Sequence, residues 1–428
     1  MSRHDPGRGR RGTGRGRRVR PPDLPAPPPE PIELTVGAVA HGGMCVARAD
    51  GLVIFVRHAL PGERVLAQVT ETGRRYWRAD AVQVLEASPD RVPEPCPHAR
   101  PGRCGGCDWQ HVTLPRQREL KAAVIREQLQ RIAGLDVDVR VEEVPGSPDG
   151  LGWRSRVRFA VAPDGRAGLH RHRSDAIERL SACPIAVPGI NASGVLDRRW
   201  VPGTEVAVEA AGDELRVEGA LQSADSPDSP NSGDSELPFP TPRPLTYEVA
   251  GRRFQVSPGS FWQVHPAAAV TLSEAVLQML APAVGERALD LYAGVGLFAA
   301  QLGDAVGPTG SVLAVEGLSS AVADALVNLA DLPQALVREA PVDAASVTAA
   351  GRPDIVVLDP PRSGAGRAVM TALADLRPRA MAYVACDPAP FARDVAVAAE
   401  HGYELRALRA FDLFPMTAHV ECVALLEP

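Results

Sequence analysis

From Ala288 to the C-terminus short apolar runs alternate with helical stretches, and few folds accept that alternation. Ala288-Leu289-Asp290-Leu291-Tyr292 reads as a strand, and Ala293-Gly294-Val295-Gly296-Leu297-Phe298-Ala299 reads as a tight glycine turn entering a helix. Val312 to Glu316 is a second strand, and Asp354 to Leu358 is a later one that runs into Asp359-Pro360-Pro361-Arg362. Strands separated by helices lie parallel with helices on both faces, which predicts a doubly wound α/β domain. Ligands of such a sheet bind at the carboxyl edge of its strands. A glycine turn alone also suits a dinucleotide, whose pyrophosphate would sit on the helix N-terminus. Asp290 stands just before these glycines, and its carboxylate favours a cationic ligand instead. Glu316, at the next strand end, suits the two hydroxyls of a ribose.

The same edge carries a cysteine. The apolar run from Ala380 to Ala385 ends in Cys386, Asp387-Pro388 breaks it, and Ala389 to His401 reads as helix. Cys386 is thus expected in a loop opening a helix, where N–H groups and the helix dipole favour a thiolate. A cysteine at a strand end is more often a small hydrophobe, so a reactive role has to come from its neighbours. His419-Val420-Glu421-Cys422-Val423-Ala424-Leu425-Leu426 is an apolar strand holding an acid. A buried acid needs a partner or a task, and a salt-bridged structural Glu421 is the competing reading.

Ahead of this domain the composition changes repeatedly. Residues 1–30 are arginine-, glycine- and proline-rich and predict a disordered basic tail, either an arm on RNA or a solubilising segment. Residues 31–90 carry short alternating strands between glycine turns, which predicts a small β-barrel. Arg57, His58, Arg74, Arg75, Tyr76, Trp77 and Arg78 offer charge and aromatic faces for a nucleic-acid groove; a merely solvated barrel is the alternative. Residues 91–245 predict an α+β central domain. It holds an amphipathic helix over 115–133, with Leu120, Val124, Leu129 and Ile132 on one stripe. It also holds a strand with one basic face, Trp153-Arg154-Ser155-Arg156-Val157-Arg158-Phe159, suited to RNA. Residues 222–243 are serine-, aspartate- and proline-rich and predict a disordered acidic insertion. Residues 246–428 are the α/β domain.

A net charge of −6 means that any nucleic-acid surface is local rather than global. No run of about 18 apolar residues is present, so no membrane span is expected. The basic start lacks an apolar core behind it, so no signal peptide is expected either. The expected location is cytoplasmic, where cysteines are unpaired or metal-bound. Four of the seven cysteines form a pattern: Cys96, then Cys104-Gly105-Gly106-Cys107, then Cys183. Four thiolates hold zinc or an iron–sulfur cluster, and spacing alone does not separate the two.

In order and spacing these features resemble the RNA uracil-5-methyltransferases, from about Ile32 to Pro428. The resemblance is carried by Phe261-Trp262-Gln263-Val264, Asp290-Leu291-Tyr292-Ala293-Gly294, Asp359-Pro360-Pro361-Arg362, Cys386-Asp387-Pro388 and His419-Val420-Glu421. The barrel segment resembles the TRAM domain, an RNA-binding barrel, through Gly42-Gly43-Met44-Cys45-Val46-Ala47 and Ala59-Leu60-Pro61-Gly62-Glu63. The resemblance implies a multi-domain enzyme: a TRAM/OB-like barrel, the central domain, and a class I methyltransferase domain using S-adenosyl-L-methionine. It implies Cys386 as nucleophile and Glu421 as base. It places the cofactor on Gln263, Tyr292, Gly294, Glu316, Asp343 and Asp359. It implies a 4Fe-4S cluster on Cys96, Cys104, Cys107 and Cys183, with zinc as the lesser alternative. The implied partner is RNA, ribosomal or transfer, bound by a monomer without a membrane.

Departures from the family pattern are local. Ala385 and Asp387 flank Cys386 where Ser and Asn are usual, Leu297 and His265 replace polar residues, and the first cysteine gap is long. Two other readings compete. An RNA cytosine-5-methyltransferase typically has a second cysteine after the fourth strand, where Asp359-Pro360-Pro361-Arg362 has none. A non-catalytic RNA-binding iron–sulfur protein would use neither Cys386 nor Glu421.

Overall fold

A computed structural model describes residues 27–222 and 243–428. Most of the basic tail and nearly all of the acidic insertion therefore lie outside the described residues.

The α/β domain is built on an eight-stranded sheet. Its parallel part runs Ala335–Glu339, Ser311–Glu316, Arg287–Leu291, Ile355–Leu358 and Ala380–Ala385. Glu421–Glu427 then adds antiparallel to Ala380–Ala385, and Glu404–Phe411 pairs antiparallel with Glu421–Glu427. Ile355–Leu358 and Ala380–Ala385 are apolar and buried along their whole length because helices cover both faces. A short strand from far upstream, Val141–Glu142, completes the edge beside Glu404–Phe411.

The barrel has five strands, in the order Ile32–Thr35, Arg64–Thr72, Tyr76–Glu86, Leu52–Arg57 and Cys45–Ala49. Cys45–Ala49 is a strand that the alternation pattern alone did not single out. The groove expected from the charged and aromatic residues is only partly present. Trp77 is buried in the barrel core, and Arg57 and His58 are buried as well. Arg78 is tied to Glu71 at 2.6 Å and lies over the Tyr76 ring. Arg74 and Arg75 remain exposed. The barrel core continues into Trp109, Val112, Leu120 and Val124, so the barrel is packed on the following segment rather than tethered to it.

The central domain is an antiparallel five-stranded sheet ordered Glu214–Glu218, Glu205–Ala211, Arg156–Val161, Ala167–His170 and Ile177–Arg179. The expected basic face on its middle strand is divided. Arg158 is exposed, but Arg156 is drawn inward to Glu209 and to the carbonyls of Trp262 and Ser260 at 3.1 and 2.8 Å. Arg156 therefore joins the central sheet to the segment leading into the α/β domain instead of facing RNA.

The amphipathic helix spans Leu114–Gln128 and continues as a π turn, Leu129–Ala133, closed by Gly134 at φ 70°. The looser turn swings Ile132 off the buried stripe, leaving it 37% exposed. This helix buries Lys121 completely, with its Nζ 2.5 Å from Asp412 and 3.0 Å from the carbonyl of Phe414. Lys121→Met leaves the Asp412 carboxylate buried without a partner, a loss of about 3–5 kcal/mol. Chemical denaturation of Lys121→Met should show that loss, and Lys121→Met/Asp412→Leu should recover most of it.

Candidate active site

The carboxyl edge of the sheet gathers the predicted residues. The turn after Arg287–Leu291 needs its glycines. Gly296 has φ 89°, and a Cβ there would stand 3.3 Å from the Leu329 side chain. The N–H of Gly294 donates to Glu316 Oε2 at 2.9 Å, while those of Gly317 and Leu318 donate to Oε1 at 2.8 Å each. Glu316 thus joins the loops after two neighbouring strands. Tyr292 adopts φ 61°, a strained value for a non-glycine residue and of a kind that clusters at functional sites.

Asp290 has a different role from the one expected. It is fully buried beneath the turn, and its Oδ2 accepts the Ala299 N–H at 2.8 Å. Its other oxygen has no hydrogen-bond partner. Burial pushes its carboxyl well above the usual range, with Asp359 and Glu316 adding to the effect. Asp290 braces the entry of the helix rather than meeting a cation.

Strand direction decides the pairing of Cys386 with Glu421. Ala380–Ala385 and Glu421–Glu427 run antiparallel with Ala385 opposite Cys422, so the end of one strand lies beside the start of the other. Cys386, the next residue, falls alongside Glu421. Burial pushes the Cys386 thiol up to about 12, and Glu421 and Asp359 push the same way. Glu421 is almost fully buried, and burial followed by the nearby Asp359 raises its carboxyl well above the usual range. Asp359 is itself pushed up to about 7 by burial. Arg362 opposes the acids at both Cys386 and Glu421.

The helix Pro388–Glu400 follows directly, but its N-terminus is not free to stabilise a thiolate as the sequence suggested. Asp387 caps it, taking the Ala389 N–H at 3.0 Å and adding a negative charge beside Cys386. Asp394 on this helix locks the two loops together. It accepts from Tyr383 Oη at 2.6 Å, Ala365 N at 2.7 Å and Gly366 N at 3.1 Å.

Gln263, Tyr292, Gly294, Glu316, Asp359, Cys386 and Glu421 all line one cavity of about 670 Å³. That volume accommodates a nucleoside-sized ligand together with a second planar group. Asp343 is not among the lining residues. It caps the short helix Ala344–Thr348, accepting the Ser346 N–H at 2.8 Å. The structure also adds lining residues that were not singled out as site residues, including Trp153, Arg154, Phe261 and His419. Phe261 is 62% exposed at the cavity, an aromatic face turned to solvent. The Phe-Trp-Gln-Val run contained that signal, but only exposure separates Phe261 from its buried neighbour Trp262.

The four patterned cysteines line a second, small cavity of about 20 Å³ with Gln110, Leu169, Leu180 and Ile185. Gln110 explains its place three residues after Cys107: its Nε2 donates to Cys107 Sγ at 3.1 Å and its Oε1 accepts the Cys96 N–H at 2.9 Å. Gly106 N donates to Cys104 Sγ at 3.4 Å, and Asn191 holds the backbone of Cys183 from both sides. Among the described residues no group of three or more His, Cys, Asp or Glu side chains is set to hold a metal ion. Burial raises the thiols of Cys104, Cys107 and Cys183. Gly106 and Arg154 line both cavities, so the cysteine site shares a wall with the larger one.

Comparison with known proteins agrees with this geometry. The TRAM domain family matches residues 30–82. A protein of Streptomyces avermitilis described as an uncharacterized RNA methyltransferase is 49% identical, covering 93% of this chain and 98% of its own length. A 23S rRNA (uracil(1939)-C(5))-methyltransferase of Alkalilimnicola ehrlichii is 33% identical, covering 94% of this chain and 97% of its own. The chain belongs to the RNA uracil-5-methyltransferase family. Its fold is shared with the Pyrococcus abyssi tRNA (uracil-54, C5)-methyltransferase, solved with S-adenosyl-L-homocysteine. The TM-score is 0.68 at 24% identity, over 92% of this chain and 99% of that one. The family is class I, S-adenosylmethionine-dependent and multi-domain. Among the described residues no helix is long and apolar enough to cross a membrane.

Proposed function

We propose that this enzyme methylates C5 of a uridine in structured RNA through a covalent bond between Cys386 and C6 of the base. The observation that carries the proposal is the antiparallel register that sets Cys386 beside Glu421 at the rim of a cavity lined by Gln263, Tyr292, Glu316 and Asp359.

S-adenosylmethionine, when bound, supplies a methyl group on a positively charged sulfur. Glu316, Tyr292, Gly294, Gln263 and Asp359 are the groups that would hold it. C5 of uracil is a weak nucleophile. The Cys386 thiolate adds to C6, and the electron pair moves toward C5 and O4 as an enolate. C5 would take the methyl group as the methyl–sulfonium bond breaks, the electron pair staying on sulfur and leaving a neutral thioether, and C5 then carries both hydrogen and methyl. The Glu421 carboxylate removes that hydrogen as a proton, the C5–C6 double bond reforms and the thiolate leaves. The thiolate is regenerated, and one proton leaves through Glu421. Its raised affinity for protons makes Glu421 a stronger base once ionised. A base inside a helix cannot reach this cavity, so the target uridine is unstacked, in a loop or flipped.

Cys386 is the one cysteine among the described residues lining the cavity, and this favours uracil over cytosine chemistry of the two-cysteine kind. The similarity to a 23S rRNA enzyme at 33% identity favours ribosomal over transfer RNA. The test is incubation of the protein with methyl-labelled cofactor and RNA from cells lacking the gene. Label in 5-methyluridine supports the reading. Label in 5-methylcytidine or no label in any RNA overturns it.

We further propose that Cys96, Cys104, Cys107 and Cys183 hold an iron–sulfur cluster. Four cysteines around one small cavity, three of them buried and Cys104 half-buried, with N–H groups directed at two of the sulfurs, suit thiolate ligation. The cluster would tie distant parts of the chain together beside the catalytic cavity. Anaerobically purified protein should contain iron and acid-labile sulfide, and Cys183→Ala should lose both. Zinc without sulfide would replace the cluster with a structural metal.

A further inference from the structure

We propose that His41 is a positioning residue for methyl transfer: from the barrel it holds Asp387 in place and neutralises that carboxylate next to Cys386. The inference rests on Cys386 being the nucleophile.

The contact is direct. His41 Nε2 lies 2.8 Å from Asp387 Oδ1, the oxygen that also accepts the Ala389 N–H at 3.0 Å. One carboxylate oxygen therefore fixes the first turn after the nucleophile from two sides. The barrel loop that carries His41 is itself seated against the catalytic machinery. Gly43 O accepts from Trp109 Nε1 at 3.0 Å. A Cβ at Gly43 would fall 2.4 Å from Ala418 Cβ, so the loop meets the chain just before Glu421 with no space to spare. Asp108 Oδ2, next to Trp109, takes the Ala418 N–H at 3.1 Å. The barrel loop thus touches the chain just after one of the strands that deliver the reactive pair, at Asp387, and just before the other, at Ala418.

Charge gives the contact its consequence. Asp387 is one of the acids that disfavour a thiolate at Cys386, together with Glu421 and Asp359 and against Arg362. A protonated His41 cancels much of that contribution. Asp387 and Glu127 favour the protonated imidazole, while burial and Arg393 oppose it, and the balance raises His41 above its usual value. His419 is close enough to add a smaller electrostatic contribution that favours the Asp387 carboxylate. A barrel held in place by RNA would keep this pair closed, so docking and nucleophile activation share one contact.

The experiment measures single-turnover methylation by the full-length protein at saturating RNA across a pH series. His41→Ala should be about tenfold slower near neutral pH, with the KM for RNA little changed, because a small displacement of a reacting group is strongly felt. The deficit should shrink as pH rises past the His41 titration, because the wild type then loses the same charge. Asp387→Asn in the His41→Ala background should restore most of the rate, since no charge is left to neutralise. A deficit that is equal at every pH and not rescued by Asp387→Asn overturns the proposal. So does an unchanged rate with a raised KM, which would make His41 an RNA contact. Methylation that persists in Cys386→Ala would instead refute the nucleophile on which the inference rests.

Discussion

Cys386→Ala protein should bind RNA and cofactor normally yet transfer no methyl group, with the rate falling by roughly 10⁴-fold or more. Without the sulfur, electron density at C5 is never raised, and no other cysteine among the described residues lines the cavity. Wild-type protein stalled with 5-fluorouridine RNA should form a covalent complex that survives denaturing electrophoresis, and Cys386→Ala should form none. The loss must not come from unfolding. Cys386 is only partly buried, and its replacement removes one sulfur atom from a cavity wall. Thermal midpoints of the two proteins should therefore be close. The pH dependence follows from the same environment. Burial and the neighbouring acids raise the Cys386 thiol to about 12 and lift Glu421 as well. In the proposed mechanism both groups act in their deprotonated forms, so kcat/KM should rise as pH increases from neutral into the alkaline range. A rate that falls over that interval would contradict the assignment.

Glu421→Gln should give the opposite phenotype: the adduct forms and does not resolve. The amide keeps the shape of the side chain in a buried position but cannot accept the C5 proton. Turnover should fall by about 10²–10⁴-fold, as for loss of a general base. Methyl transfer within the first encounter should persist. The diagnostic is a protein–RNA adduct carrying the labelled methyl group, stable in denaturant and absent from Cys386→Ala/Glu421→Gln. Free methylated RNA released at the wild-type rate would leave Glu421 a structural acid. Removing the carboxylate also lightens the negative charge around Cys386. Adduct formation by Glu421→Gln should therefore begin at lower pH than in the wild type.

The barrel is also packed against the elements that carry Cys386 and Glu421. Its core is continuous with Trp109, Leu120 and Val124, and the buried Lys121–Asp412 pair ties the same helix to the loop preceding Glu421. A disturbance at the barrel interface therefore reaches the reactive pair through a few rigid contacts.

Local pattern in the chain was sufficient for the elements and for most of the chemistry. Strand periodicity, the glycine turn and the apolar run ending in Cys386 are properties of neighbouring residues, and each appears where the sequence placed it. The cysteine pattern likewise pointed to convergence, and Cys96, Cys104, Cys107 and Cys183 do line one small cavity. What the sequence could not show is which charges become buried, since that depends on partners hundreds of residues away. Arg57, Arg156 and Trp77 looked like an RNA surface and are largely interior. Asp290 looked like a ligand for a cation and is a brace under a helix. Asp343 looked like a cofactor contact and is a helix cap outside the cavity lining. The π turn after Gln128 and the exposure of Phe261 are also decided by packing. Above all, the meeting of Cys386 with Glu421, and of His41 with Asp387, comes from strand direction and domain docking. Sequence encodes the torsional and burial preferences of each segment; only the folded chain, by excluding water between distant segments, sets which reactive groups share one low-dielectric space.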